Sequence, residues 1–259
     1  MKTRIYSLTF LLLLVLFTSG CDRGTFCEKG KGELVTQELT LSSFTGFDNT
    51  IAADIVLTQG ETQSVSITAQ QNIIDKLKTN VSGDVWTIDF KGCVRTKSDV
   101  KIEITVPNLT LVGISGSGRV TATNRFTELG DVVLDISGSG HIALDMDAND
   151  VTIKISGSGS IEQGLRANVV SSKISGSGNI ELSGTCNDHS YRVAGSGDLH
   201  AFELETRNST VKIAGSGNAE VRASESLNVS ISGAGNVSYK GTPTIDVNIS
   251  GSGNLINAN

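Results

Sequence analysis

The chain has 259 residues, a formal net charge of −6, 29 glycines and only 5% aromatic side chains. That length allows one large domain or two small ones. The scarcity of aromatics argues against a broad globular core and for a narrow one of aliphatic side chains, and no basic run is long enough to hold a nucleic acid.

Residues 1–20 read as a secretory signal. Lys2 and Arg4 supply the charged start, and residues 8–17 form an apolar run too short to span a bilayer. Thr18-Ser19-Gly20-Cys21 follows, with small residues before a cysteine as in a bacterial lipobox, although Thr18 stands where a lipobox usually has Leu. Cys21 is therefore the expected lipid-modified first residue, and several acyl chains would hold the product on a membrane at about 0.8 kcal/mol per buried methylene. The expected location is the cell envelope, as a membrane-anchored lipoprotein on the periplasmic or the surface side of the outer membrane. Residues 21–32 are short, polar and Gly-rich, a tether. In an oxidising compartment the remaining cysteines are Cys27, Cys93 and Cys186. Cys27 and Cys93 both lie outside the repeats, beside glycines and basic residues, and are expected to pair, leaving Cys186 free. Their spacing does not suggest zinc.

From residue 33 to 259 the chain reads as one domain of strands. Residues 34–41 alternate, followed by Phe44 and Phe47; 53–58 form a second run closed by a turn at 59–61, and 64–68 a third. Residues 73–77 fit one helical turn, 85–90 hold the single Trp86, and 100–106 alternate up to Pro107. Residues 33–107 are expected to be irregular coils forming an N-terminal cap with a wider core.

From 108 to 259 one tetrapeptide, Ser-Gly-Ser-Gly, recurs with near copies. Its first glycines are residues 116, 138, 157, 176, 195, 215, 233 and 251, spaced by 18 to 22 residues. Two residues before each stands Ile114, Ile136, Ile155, Ile174, Val193, Ile213, Ile231 or Ile249. Four after it stands Val120, Ile142, Ile161, Ile180, Leu199, Ala219, Val237 or Leu255. A repeat of this size with period-two alternation predicts an all-β, right-handed parallel β-solenoid (β-helix), one coil per repeat of about 19 residues. Coils about 4.8 Å apart make the eight copies a stack of roughly 34 Å. If the chain stays extended through the motif, both glycines point inward, either because a backbone or side chain comes close or because the chain bends there. A stack needs caps, and little beyond Leu255 and Ile256 serves as one. The C-terminal end is expected either to pair with a second copy, giving a homo-oligomer, or to be shielded by residues 257–259.

The lipobox, the run Ala53-Asp54-Ile55-Val56-Leu57-Thr58-Gln59-Gly60, Asn72-Ile73-Ile74, residues 102–107 and the serial repeats together resemble the head GIN domain family of adhesin-like bacterial envelope lipoproteins. The resemblance covers about residues 35–255. It implies an all-β solenoid and an envelope location, and adhesion only by inference within the family. Nothing here resembles the C-terminal translocator barrel of an autotransporter, so the lipid is the expected anchor.

After the second glycines come Arg119, His141, Ser160, Asn179, Asp198, Asn218, Asn236 and Asn254, a polar stripe along the stack. Asn179, Asp198, Asn218, Asn236 and Asn254 are either a face for a glycan or protein ligand or turn residues bonded between coils. Neither a catalytic residue, a cofactor nor a metal is expected. The calcium-roll motif has a nine-residue period and an acid in each repeat, absent here. His141, His189 and His200 fall at different offsets from the motif and read as surface residues. Asp145, Asp147 and Asp150, like Glu203 and Glu205, read as solvated carboxylates. The expected function is a non-catalytic adhesin or scaffold. The alternatives are a glycan-active β-helix enzyme, a polysaccharide lyase or hydrolase with clustered carboxylates, and a purely structural envelope protein.

Overall fold

A computed structural model describes residues 27–96 and 99–259. The signal segment and Cys21 lie outside the described residues.

Parallel coils stacked one on the next make up most of the chain. Val132–Gly138, His141–Ala143 and Met146–Ala148 form three sides of one coil, and Asp150–Gly157 begins the next. Beyond that, strand pairing persists around the corners, so that Ser160–Gly176, Asn179–Gly195 and Asp198–Gly215 are single bent strands. Like residues align: Gly138 pairs with Gly157, Gly157 with Gly176, Gly176 with Gly195, Gly195 with Gly215, Gly215 with Gly233 and Gly233 with Gly251. Inside run aliphatic columns such as Ile136, Ile155, Ile174, Val193, Ile213 and Ile231, all buried. Parallel strands buried on their inner face select β-branched residues because these pack well on a pleated surface.

The glycine pair divides its labour. The first glycine bends the chain: Gly176 has φ +132°, and a Cβ there would strike the carbonyl of Gly157 in the preceding coil. The second faces the core. A Cβ on Gly178 would lie 2.6 Å from Cγ2 of Ile155, the isoleucine of the coil below. Close approach therefore operates at both glycines and bending at the first alone, and the first is half-buried where an extended chain would have turned it fully inward.

The N-terminal half departs further from expectation. Gly46–Asn49 and Ala53–Gln59 form a coil that pairs in parallel with Leu111–Ile114 and Arg119–Ala122. On its other side lies another coil, Val85–Ile88 and Val100–Val106, which is later in the chain but farther out in the stack. Two antiparallel strands finish this end: Ser64–Gln70 pairs with Val100–Val106, and Leu34–Glu38 pairs with Ser64–Gln70. The cap is thus two irregular coils, stacked out of chain order, with an antiparallel extension of one side. A short helix, Gln71–Ile74, buries Ile73 and Ile74 beside it. Trp86 is fully buried, donates its ring N–H to the Lys78 carbonyl at 3.0 Å, and packs against Phe44 at 5.8 Å between centroids.

Cys27 is bonded to Cys93, and Glu28–Lys29 pairs in parallel with Val94–Arg95. The end of the segment read as a tether is therefore tied to the outermost coil. Cys186 is free and buried. At the other end, every residue of Thr244–Gly251 is exposed, and one edge of that strand has no neighbour among the described residues.

Candidate functional site

The corner that carries the glycines also carries the polar stripe. Arg119, His141, Ser160, Asn179 and Asp198 follow one another in register, and Asn236 pairs with Asn254. Asn218 donates to Asp198 Oδ1 from its backbone N–H at 2.7 Å and from its side-chain amide at 3.1 Å. Asn236 repeats this on Asn218 Oδ1, both at 3.2 Å, and the Asn254 amide donates to Asn236 Oδ1 at 3.0 Å. Each carboxamide has two donors and two acceptor lone pairs, so a ladder that uses part of this capacity leaves polar valence facing solvent. Asn179 is exposed and makes no side-chain hydrogen bond among the described residues. Higher on the stripe, His141 Nδ1 lies 2.8 Å from Ser160 Oγ. Partial burial, with Arg119 nearby, holds the His141 pKa below its ordinary value.

A second ladder was not anticipated. Asn149 donates to Asp131 at 2.9 Å, Asn168 to Asn149 at 2.9 Å and Asn187 to Asn168 at 3.2 Å. Asn208 then donates to Asp188 at 2.9 Å. The signal was in the sequence: Asn149, Asn168 and Asn187 stand 19 residues apart, away from the glycine motif on which the reading was anchored.

Of the acidic residues, Asp145, Asp147 and Glu205 are engaged. Arg125 contacts Asp147 at 2.6 Å and Asp145 at 3.9 Å, and Asp145 also accepts the Gly164 N–H at 3.0 Å. Glu205 pairs with Arg222 at 3.2 Å. This last pair lines an open groove of about 480 Å³ with Thr185, Cys186, Arg207 and Ser224, where the coil-to-coil register slips. Burial, with Asp188 nearby, pushes the Cys186 thiol up to about 12, which disfavours the nucleophilic thiolate. No group of three or more His, Cys, Asp or Glu side chains among the described residues has the geometry to hold a metal.

The histidines separate. His200 is exposed and faces Glu220 at 3.0 Å. His189, expected at the surface, is buried inside the solenoid, with Nε2 3.3 Å from the Ser172 hydroxyl. Its period-two position puts it in a core column, which overrides its polarity.

The sequence pattern of the family described as "Putative auto-transporter adhesin, head GIN domain" matches residues 43–168 and again 133–243. Among curated proteins no significant match is found. Of solved structures, a "putative lipid binding protein" from Parabacteroides distasonis ATCC 8503 superposes with a TM-score of 0.84 at 28% identity, over 89% of this chain and 99% of that one. A "putative adhesin" from the same organism gives 0.84 at 26% identity over the same shares. A "putative adhesin" from Parabacteroides merdae ATCC 43184 gives 0.85 at 24% identity, over 89% and 98%, a likeness of fold alone.

Proposed function

The chain belongs to the head GIN domain family, and from that premise we propose that it is a non-catalytic adhesin-like module of the cell envelope, anchored through Cys21, that binds a polar ligand along the Asn179–Asn254 stripe. The observation that carries this reading is the ladder itself. The side chains of Asp198, Asn218, Asn236 and Asn254 are fixed at coil spacing on a rigid corner, each with hydrogen-bonding capacity left toward solvent, and the exposed Asn179 continues the row. A preorganised row of this kind loses little side-chain entropy on binding a polyhydroxylated or peptide ligand. The adhesin-like family description supports binding at an envelope or extracellular location, and the Parabacteroides distasonis relative named a putative adhesin supports binding. Against the glycan-active enzyme stands the pairing of Asp145 and Asp147 with Arg125, which takes up the two carboxyl groups that a glycosidase would have to present to the sugar.

The test is a glycan array and capture of labelled surface proteins by the full chain and by the Asn179→Ala, Asn218→Ala, Asn236→Ala triple variant. Binding that falls at least about tenfold in the variant, a loss of about 1.4 kcal/mol, supports the stripe. Equal binding moves the site elsewhere, and no binding by either chain favours a purely structural role. Incorporation of labelled palmitate, lost in Cys21→Ala, tests the anchor, and labelling of intact cells tests surface exposure.

A further inference from the structure

We propose that the open C-terminal end of the solenoid is a self-association surface, on which the last long strand, Thr244–Gly251, pairs antiparallel with the same strand of a second copy about a twofold axis at Val247. Three observations converge on this occupant. First, the end is apolar and, among the described residues, unguarded. Val247 is 46% exposed, Ile249 38%, Ile245 37% and Ile256 46%. Edge strands are normally blunted by lysine, proline or a bulge. Asp246 is the one charged side chain on this strand, which pairs with Ser226–Gly233 without a register shift.

Second, the free backbone groups belong to the apolar residues. Along the stack, the N–H of Val133 donates back to Thr110 and that of Ser139 back to Gly116, each at 2.9 Å. Outward-facing residues thus bond to the preceding coil, and inward-facing ones to the following coil. On the last coil the inward-facing residues are Ile245, Val247 and Ile249, in register with Leu227, Val229 and Ile231. Their N–H and C=O groups point into the open end. An antiparallel partner satisfies such groups in hydrogen-bonded pairs at every second residue.

Third, the sequence is self-complementary in one register. With Val247 opposite Val247 of the second copy, Ile245 faces Ile249 and Asp246 faces Asn248. The aliphatic columns run on through the junction, and the carboxylate meets an amide instead of its own copy. The capped end also carries an exposed edge strand, Leu34–Glu38, but it is five residues long against eight and ends on the charged Glu38. Joined to the anchor proposed above, on which only this consequence rests, the pairing would put two anchors at the far ends of a doubled stack, able to bridge apposed membranes.

Sedimentation equilibrium of the full chain tests the pairing without a membrane. The expected mass approaches twice that of one chain. Val247→Lys, at an exposed position, opposes two ammonium groups across the axis and is expected to weaken association at least about tenfold while leaving the circular dichroism spectrum unchanged. Register is read by oxidation of the double variant Asp246→Cys, Asn248→Cys. Its opposed positions lie about 4.5 Å apart between Cα atoms in such a pair, within disulfide reach. Cross-linked dimers from the double variant but not from either single variant support the proposal. A monomer at all concentrations, an open-ended series of masses, or dimerisation that survives Val247→Lys overturns it.

Discussion

His189 sits in a column with Val132, Val151, Val170, Ser209 and Leu227. The adjacent column places Tyr191 between Ser172 and Val211. Large and small alternate: the His189 ring is followed by the Ser209 hydroxyl, and the Tyr191 ring follows Ser172, so neither column overfills a core of fixed coil spacing. Tyr191 donates its hydroxyl to the Gly197 carbonyl at 3.1 Å, and burial raises its pKa. Burial also lowers the His189 pKa to about 4. The unfolded chain protonates this imidazole near pH 6.5, and the folded chain resists doing so until about pH 4. Stability contributed by the neutral ring is therefore full above about pH 6.5 and is lost as pH falls toward about 4, by about 3 kcal/mol in total. Urea unfolding at a series of pH values is expected to show this slope, and His189→Leu to flatten it between about pH 6.5 and 5, where carboxylates titrate little. The slope is the readout, because the variant also strips Ser172 of its partner.

The coil corner is the element that the whole stack repeats. An alanine at Gly178 would put its Cβ 2.6 Å from Ile155 Cγ2 and 2.8 Å from the Gly159 carbonyl. Neither neighbour has room to move, since each is stacked on a further coil. Gly178→Ala is expected to cost about 1–3 kcal/mol by overpacking, read as a lower urea midpoint. Substituting an outward serine of the same corner, Ser177→Ala, is expected to stay within about 0.5 kcal/mol. The contrast checks the inward assignment of the second glycine. Much of this element was legible beforehand, because Ile174, Gly176, Gly178 and Ile180 share one parity and recur from coil to coil. The separate duties of the two glycines were not, because a positive φ breaks the parity count that the reading relied on. The Asn149, Asn168 and Asn187 ladder was equally periodic, but lay outside the motif used to align the repeats.

At the scale of the molecule, stability in such a stack is close to a sum of nearest-neighbour terms, so the ends matter most. The Cys27–Cys93 bond closes a loop across a separation of 66 residues at the capped end. Its removal by Cys27→Ser is expected to cost up to about 4 kcal/mol on the chain-entropy model. Hydrogen exchange should then report faster opening of Val85–Ile88 and Val100–Val106 than of the central coils, and uniform acceleration would argue against independent ends. The sequence by itself determined the solenoid, its period and its aliphatic columns, because a stack of identical coils turns local alternation directly into long-range register; the Cys27–Cys93 pairing was expected from the place of both cysteines outside the repeats, and the family from its motifs. Only the tertiary structure decided that the coil of Gly46–Asn49 and Ala53–Gln59 lies inside the later one of Val85–Ile88 and Val100–Val106. It also decided that antiparallel strands close that end and that His189 is interior. Where the period fails, the neighbour of a strand is chosen by which edge is free in space, and no local pattern records that choice.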